Sequence, residues 1–367
     1  MMKFLIIVIL LLSTFTQALA LSPQPSSFKV ALPGYKYKFP ADHRAHNEYR
    51  TEWWYYSGHL QAEGGKEFGF ELTFFRSAVS PPGGIKGDVG AAHNAYMAHF
   101  TVTDVAKQKF YQEEKLSHSG LASSGASEST YKLWMGTWGV QQVAGKHVLT
   151  AGDKDVSINL VLSEGKAPTI HGQNGISQKA PCAGCASHYY SLTRMPVNGK
   201  LTIAGKSLAV KGIAWMDHEF GTNQLSADEI GWNWYSIQLD DNTELMLYAM
   251  RLRNGQYDPS SAGTIIFADG RLEHLAFSSY QVSAQSSWSS PHTYANYPAN
   301  WHVVVPGKNI DLNIEPLLAD QEVVSISGEN TYWEGACKVV GTKDGKPIHG
   351  RAYVELAGYA EEMHQNF

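Results

Sequence analysis

The sequence predicts an all-β protein made of two similar antiparallel β domains, and three observations carry that reading. The first is an internal repeat: Trp53-Trp54-Tyr55-Tyr56-Ser57-Gly58-His59-Leu60 returns as Trp232-Asn233-Trp234-Tyr235-Ser236-Ile237-Gln238-Leu239. Each copy is followed by a polar turn and an apolar strand ending in arginine, Phe70 to Arg76 and Leu245 to Arg251. A third strand then runs to an Asp turn, at Asp104 and at Asp269. So long an ordered recurrence reads as a duplicated β-meander. The second observation is periodicity. Val156 to Leu162, Lys200 to Gly205 and Trp301 to Val305 alternate apolar and polar residues between Gly, Asn, Asp and Pro. The third is composition: aromatic residues reach 12%, weighted toward Tyr and Trp, which suits sheets with roomy interiors rather than helical bundles.

Residues 1–20 read as a secretory signal peptide, with Lys3, an apolar run from Phe4 to Phe15 and a small-x-small cleavage site at Ala18-Leu19-Ala20. The run is too short for a comfortable membrane span, and Leu21 offers no cysteine for a lipid anchor. The expectation is a periplasmic or secreted protein without stable membrane insertion. The remaining chain divides into an N-terminal domain, 21–185, and a C-terminal domain, 186–367, with the strand-poor stretch Ile170–Ser187 as the region between the repeats. Pro81-Pro82-Gly83-Gly84 marks an insertion between Arg76 and His93, either a lid or a tolerated surface loop. A net charge of −5 leaves no basic footprint for nucleic acid.

Cys182 and Cys185 form a C-x-x-C, and Cys337 stands alone. After export the first two most simply pair with each other, with free thiols as the alternative. A redox motif lacks its βαβ context, haem attachment would need His where Ala186 stands, and no further zinc ligands lie nearby. No cofactor and no metal is expected. Cys337 reads as a buried small hydrophobe.

Strand parity sorts the repeat. Tyr56, Gly58 and Leu60 share an apolar face with Tyr235, Ile237 and Leu239 of the second copy. The opposite face carries Trp53, Tyr55, Ser57 and His59, and Trp232, Trp234, Ser236 and Gln238. Such a mixed face suits either a ligand cavity or packing between the domains. Arg76 and Arg251 share parity with the apolar residues of their strands, so each is either a strand-end cap with a buried partner or a clamp on a substrate carboxylate. At Trp215-Met216-Asp217-His218-Glu219-Phe220-Gly221 an apolar strand runs into three consecutive ionisable residues before a Gly turn. On extended backbone Asp217 and Glu219 face one way and His218 the other. Facing an apolar cavity, a carboxyl there would become a general acid and the His a base; otherwise the three partner the strand-end arginines. No G-x-S-x-G or H-E-x-x-H occurs, so a classical hydrolase is unsupported.

Glu52-Trp53-Trp54-Tyr55, Phe74-Phe75-Arg76, Tyr189-Tyr190-Ser191, Trp215 to Gly221, Gly231 to Trp234, Tyr332-Trp333-Glu334-Gly335 and Tyr353 to Tyr359 together resemble the AttH/CrtC family of secreted lipocalin-like proteins. The resemblance implies two lipocalin-like β-barrels packed together. The family includes carotenoid 1,2-hydratases, fungal cyclases that catalyse Diels–Alder reactions, and secreted proteins found with ABC exporters. In the hydratase pattern His218 matches a His and Tyr248 a Tyr, but Phe220 replaces a Trp and Met250 stands where an Asp is expected; Asp217 or Glu219 would have to supply that carboxyl. Two functions follow as expectations. One is an exported carrier of a largely apolar molecule (lipid, terpenoid or polyketide), accessory to an ABC exporter. The other is a cofactor-free hydratase, isomerase or cyclase using Asp217, His218, Glu219 and Tyr248. Trp53, Tyr55, Arg76, Trp232, Trp234, Tyr235 and Arg251 are the expected ligand contacts.

Overall fold

The computed structural model describes residues 28–78, 81, 94–118, 123–326 and 330–363; the signal segment and nearly all of the Pro81–Gly84 insertion lie outside them. The described residues are all-β, with four short 3₁₀ turns and no α-helix. One sheet contains β1 (Thr51–Ala62), β2 (Glu67–Ala78), β3 (Asn94–Asp104), β4 (Lys109–His118), β5 (Ser124–Ala126), β6 (Lys132–Met135), β7 (Trp138–Val143), β8 (Lys146–Gly152), β9 (Val156–Ser163), β10 (Thr169–Ile170), β11 (Ser177–Gln178), β12 (Ala186–Ile203) and β13 (Lys206–Gly221). The other contains β14 (Glu229–Leu239), β15 (Glu244–Leu252), β16 (Ala262–Ile266), β17 (Leu272–Ala276), β18 (Gln281–Ser289), β19 (Asn296–Val305), β20 (Ile310–Pro316), β21 (Glu322–Val323), β22 (Tyr332–Lys343) and β23 (Lys346–Ala357).

The two sheets repeat one topology. The first runs β4-β3-β2-β1-β13-β12-β9-β8-β7-β6-β5 and the second β17-β16-β15-β14-β23-β22-β20-β19-β18. The first is a nearly closed barrel, its edge strands β4 and β5 bridged by the Ser117–Ser124 hydroxyl pair at 2.6 Å; the second is a half-barrel. In each, the last strand returns to pair with the first. Its hairpin turns on two left-handed residues, Ala204-Gly205 and Asp344-Gly345, the backbone that a two-residue hairpin matched to strand twist requires.

That pairing corrects the domain boundary. Residues 186–221 belong to the first sheet, because β13 pairs with β1 along its length, and the chain crosses between sheets after Gly221, not at 185/186. The stretch from Ile170 to Ser187 is not a linker. β10 and β11 pair with β12, so it forms a flap on the first barrel, tied by a Cys182–Cys185 disulfide. Cys337 is a free, buried thiol in the second core.

Each barrel has its own core, and a third apolar cluster joins them through Tyr55, Tyr189, Trp215, Trp234, Met246, Tyr248, Met250 and Tyr353. Burying one side chain such as Met246 contributes about 1.5–3 kcal/mol, so the two units form one packed body. Gly69 lets the sheets approach, since a Cβ there would lie 2.6 Å from the Cβ of Ala336 and 3.0 Å from the Tyr353 hydroxyl. A bulge between Leu192 and Met195 presents Thr193 and Arg194 to the second unit. There the Thr193 carbonyl accepts from Gln238 Nε2 at 2.7 Å, and Arg194 pairs with Glu244.

Candidate active site

The repeat and the strand registers set up residue-for-residue equivalences. Tyr55 lies opposite Asp217 and opposite Thr73; Trp234 lies opposite Glu355 and opposite Tyr248. Asp217 and Glu355 are therefore counterparts, as are Tyr189 and Tyr332, which pair one strand further out. Because side chains alternate along a strand, the mixed faces of β1 and β14 turn toward each other across the junction. They enclose a cavity of about 360 Å³. Half-buried Trp53 and Trp232, with Tyr55, Trp234, Phe75, Met97, Leu225 and Met250, give it a mostly apolar wall.

Into this apolar space projects an unusual number of ionisable groups: Asp217, Glu219, Glu334, Glu355 and Lys179 all line it. Asp217 accepts from Tyr189 Oη at 2.7 Å, from Trp215 Nε1 at 2.6 Å and from the Ser191 hydroxyl. Burial nevertheless outweighs those three donors and lifts its pKa to about 7. Glu355, hydrogen-bonded by Trp232, is raised to about 7, first by burial and then by the charges of Asp217 and Glu219. Glu334 accepts from Tyr55 Oη at 2.6 Å and is pushed well up by burial and by its carboxylate neighbours Glu355 and Glu71. Glu71, just behind, is raised to about 8, chiefly by burial. Lys179 comes from the disulfide-tied flap, places Nζ 2.9 Å from Glu219 Oε1, and lies over the rings of Tyr189 and Tyr248. Donors cross the junction in both directions. Tyr55 of the first unit reaches Glu334 of the second, and Trp234 Nε1 of the second donates to Tyr189 Oη of the first at 3.0 Å.

Of the residues expected from sequence, the structure gathers Asp217, Glu219, Tyr248, Trp53, Tyr55, Arg76, Trp232 and Trp234 around this cavity. Asp217, His218 and Glu219 lie within β13 rather than in a turn, so strict alternation sends His218 to the other side. That corrects its assignment. His218 is buried in the first barrel, with Nε2 2.8 Å from Glu52 Oε1, Nδ1 3.0 Å from Tyr190 Oη and its ring stacked on Trp54. Burial lowers its pKa to about 4. Tyr235 is likewise not a ligand contact: it faces the second core and packs edge-on to Trp301. Arg251 stacks on Tyr359 and donates to the carbonyls of Ala357 and Gly358, away from the cavity. Arg76 has the cap's partners, donating to Glu52 Oε2 at 3.2 Å and to the carbonyls of His46 and Tyr49.

Lys179, Tyr189, Glu334 and Glu355 were not among the expected site residues. The signal available for Glu355 was the repeat itself, since it stands where Asp217 stands. Among the described residues two His/Glu groups could hold a metal ion, His46–Glu52–His218 and His43–His147–Glu164, and both lie inside the first barrel, apart from the cavity.

Fold and site together define a class: a duplicated lipocalin-like β protein with an apolar cavity at the domain junction and buried carboxyls facing it. The chain belongs to the AttH-like family, which matches residues 30–359. A crystallised AttH protein from Nitrosomonas europaea is 30% identical, covering 90% of this chain and all of that one at a TM-score of 0.82. Kievitone hydratase from Fusarium solani subsp. phaseoli is 20% identical over 244 residues, 64% of this chain and 68% of that protein. The crystal structure of kievitone hydratase from Nectria haematococca has the same fold, at 15% identity and a TM-score of 0.69 over 92% of this chain and 98% of that one. The fold is thus one that hydratases use.

Proposed function

We propose that this protein is a general acid–base enzyme of the hydratase or isomerase/cyclase type, acting on a largely apolar, unsaturated small molecule in the junction cavity. The observation that carries the reading is the Asp217–Glu355 pair, one carboxyl buried and one half-buried, both near pKa 7 and facing aromatic walls. A carrier has no use for such groups, whereas alkene protonation depends on them. Asp217, with three donors on its oxygens, is the member better suited to hold charge; Glu355, with Trp232 as its donor, is better suited to stay protonated. Glu355 then gives its proton to an alkene carbon, and the π-electrons of the broken double bond form the new C–H bond. The faces of Trp53, Trp232 and Trp234 stabilise the cation. Water adds to the cation and its surplus proton passes to Asp217, so the two carboxyls exchange roles. Loss of a neighbouring C–H proton to Asp217 instead gives isomerisation. His218 takes no part.

The test uses terpenoid and polyketide alkenes in D₂O, following carbon-bound deuterium by mass spectrometry and ligand affinity by tryptophan quenching. Asp217→Asn and Glu355→Gln should each slow turnover by about 10²–10⁴-fold with affinity changed only a few-fold. The wild-type rate should peak near pH 7, falling above it as Glu355 loses its proton and below it as Asp217 gains one. Tight binding without deuterium incorporation, unaffected by either change, would return the carrier reading and its ABC exporter. The same proposal puts the mature chain in the periplasm or outside the cell, on the strength of the sequence of residues 1–20; protein recovered from its own host should begin at Leu21.

A further inference from the structure

A second cluster in the first barrel has nothing to do with the junction cavity. His43 closes a 3₁₀ turn (Ala41–His43), His147 is the second residue of β8, and Glu164 follows the end of β9, the strand that pairs with β8. Both histidines are essentially fully buried, while the Glu164 side chain is about one-third exposed (32%). His43 Nε2 and His147 Nε2 lie 3.6 and 3.5 Å from the same oxygen, Glu164 Oε1, and all three atoms are within 4.8 Å of one another.

Those separations are too long for hydrogen bonds. They fit the edge of a coordination tetrahedron, because donors about 2.1 Å from one zinc ion stand roughly 3.4 Å apart. The other ring nitrogens are already engaged: His43 Nδ1 is 2.7 Å from Tyr190 Oη, and His147 Nδ1 is 2.9 Å from Tyr56 Oη. Outer partners of this kind fix ring orientation and leave Nε2 free for a metal. Tautomers follow for His43. His218 Nε2 faces the Glu52 carboxylate and so carries a proton; its Nδ1 accepts the Tyr190 proton, and His43 Nδ1–H then donates to Tyr190 Oη. In the neutral ring, His43 Nε2 is left as a lone pair aimed at a carboxylate. His147 Nε2 is a buried nitrogen with no hydrogen-bond partner. Two imidazole nitrogens and a carboxylate oxygen converging in this way call for a cation between them.

We propose that His43, His147 and Glu164 form a site for a divalent transition-metal ion of borderline softness, Zn²⁺ foremost, with a fourth position open toward solvent on the Glu164 side. The other His/Glu group is a poor rival. Glu52 already receives Arg76 Nε, the His46 backbone N–H and both imidazoles, so an added ion would face an arginine. Three protein ligands of this donor set suit Zn²⁺ rather than the oxygen-seeking Mg²⁺ or Ca²⁺.

The experiment takes the purified, tag-free chain, strips it with chelator, and titrates ZnCl₂ and MgCl₂ by calorimetry. Co²⁺ absorption reports the donor set. One Zn²⁺ per chain, no Mg²⁺ response and an intense tetrahedral Co²⁺ band are expected. Glu164→Gln, at a one-third-exposed position that leaves the fold intact, should weaken Zn²⁺ binding by about 100-fold or more, as should His147→Gln. If His147→Gln fails to fold, Glu164→Gln alone decides. Wild-type stoichiometry well below one, or Zn²⁺ affinity in Glu164→Gln equal to wild type, would overturn the proposal.

Discussion

The two barrels share a topology and differ inside. Where β1 and β13 place Trp54 opposite His218, β14 and β23 place Asn233 opposite Leu356. On the next strand Tyr190 of the first barrel corresponds to Trp333 of the second. Glu52, at the centre of the first barrel's ion-pair network, corresponds to Gly231, whose φ of +152° and close approach to the Ala357 carbonyl leave no room for a side chain. The second interior is apolar, filled by Tyr235, Ile237, Trp301, Trp333 and Leu356, while the first threads His43, His46, Glu52, His147 and His218 through its core. On the face the barrels share, the aromatic frame and one carboxyl match, Trp53 with Trp232, Tyr189 with Tyr332 and Asp217 with Glu355, while Ser191 stands where the second copy has Glu334 and Glu219 where it has Ala357. An interior face only has to be filled and satisfied, and there are many ways to do both. A shared face must fit a partner of the same shape, so its aromatic frame stays alike.

The sharpest way to break this comparison is to make the first barrel apolar at its centre. Glu52→Leu would strand Arg76 and His46, whose pKa is raised to about 9 by hydrogen bonds and charge from Asp42 and Glu52 against the opposing effect of burial. Removing one partner of a buried ionic network costs about 3–5 kcal/mol, and denaturant unfolding should register a loss of that size. The sign with pH is also set. His46 has a folded pKa above its unfolded 6.5, so its contribution is full below 6.5 and is lost as pH rises through about 9. In Glu52→Leu that alkaline loss should shrink to the part that Asp42 supplies. A cost under about 1 kcal/mol would mean the network is not a structural centre.

Exchanging the counterpart residues should give smaller effects. Leu356→His puts an imidazole without partners into the second core, at about 3 kcal/mol from a lost apolar contact and an unsatisfied polar group. His218→Leu removes one charge-assisted hydrogen bond from Glu52, at about 1.5–3 kcal/mol. Unfolding midpoints of the two variants test the order. If Leu356→His were the milder change, the second interior would be less dry than its packing implies. Ligand turnover should survive His218→Leu, since that ring faces away from the cavity.

How much of this was legible follows from what strand alternation can carry. The repeat gave the two-domain plan, and parity alone separated Asp217 and Glu219 from His218. The boundary was missed because β12 and β13 belong to the first barrel through pairings with β9 and with β1, the latter more than a hundred residues away, and local sequence holds no trace of those registers. Arg76 and Arg251 looked equivalent on their own strands. What separates them is the opposite strand, where Arg76 finds Glu52 and Arg251 finds only Gly231, so Arg251 turns to Tyr359 and main-chain carbonyls. Glu334 and Glu355 each sit singly among apolar neighbours and read as core strands. Lys179 lies on an aperiodic flap, which no pattern addresses.

The finest test of the matched face is Tyr55→Phe. Tyr55 donates to Glu334 across the junction, while its counterpart Trp234 donates to Tyr189 in the opposite direction. Losing one hydroxyl leaves the aromatic packing intact and costs about 0.5–1.5 kcal/mol. The pH dependence identifies the cause. Burial and the neighbouring Glu355 and Glu71 hold the Glu334 carboxyl well above its unfolded value, so the folded state keeps a proton that the unfolded state has released. Stability therefore falls as pH rises above the unfolded pKa and levels off only once the folded carboxyl ionises. Tyr55 favours the ionised form, and its removal moves that levelling to still higher pH. The stability difference between wild type and Tyr55→Phe should accordingly grow with pH once the folded carboxyl begins to ionise, as read by urea unfolding across a pH series. A difference that stays constant, or narrows, would show that the hydroxyl contributes only a neutral contact and that the junction carboxyls titrate independently of the aromatic pair facing them.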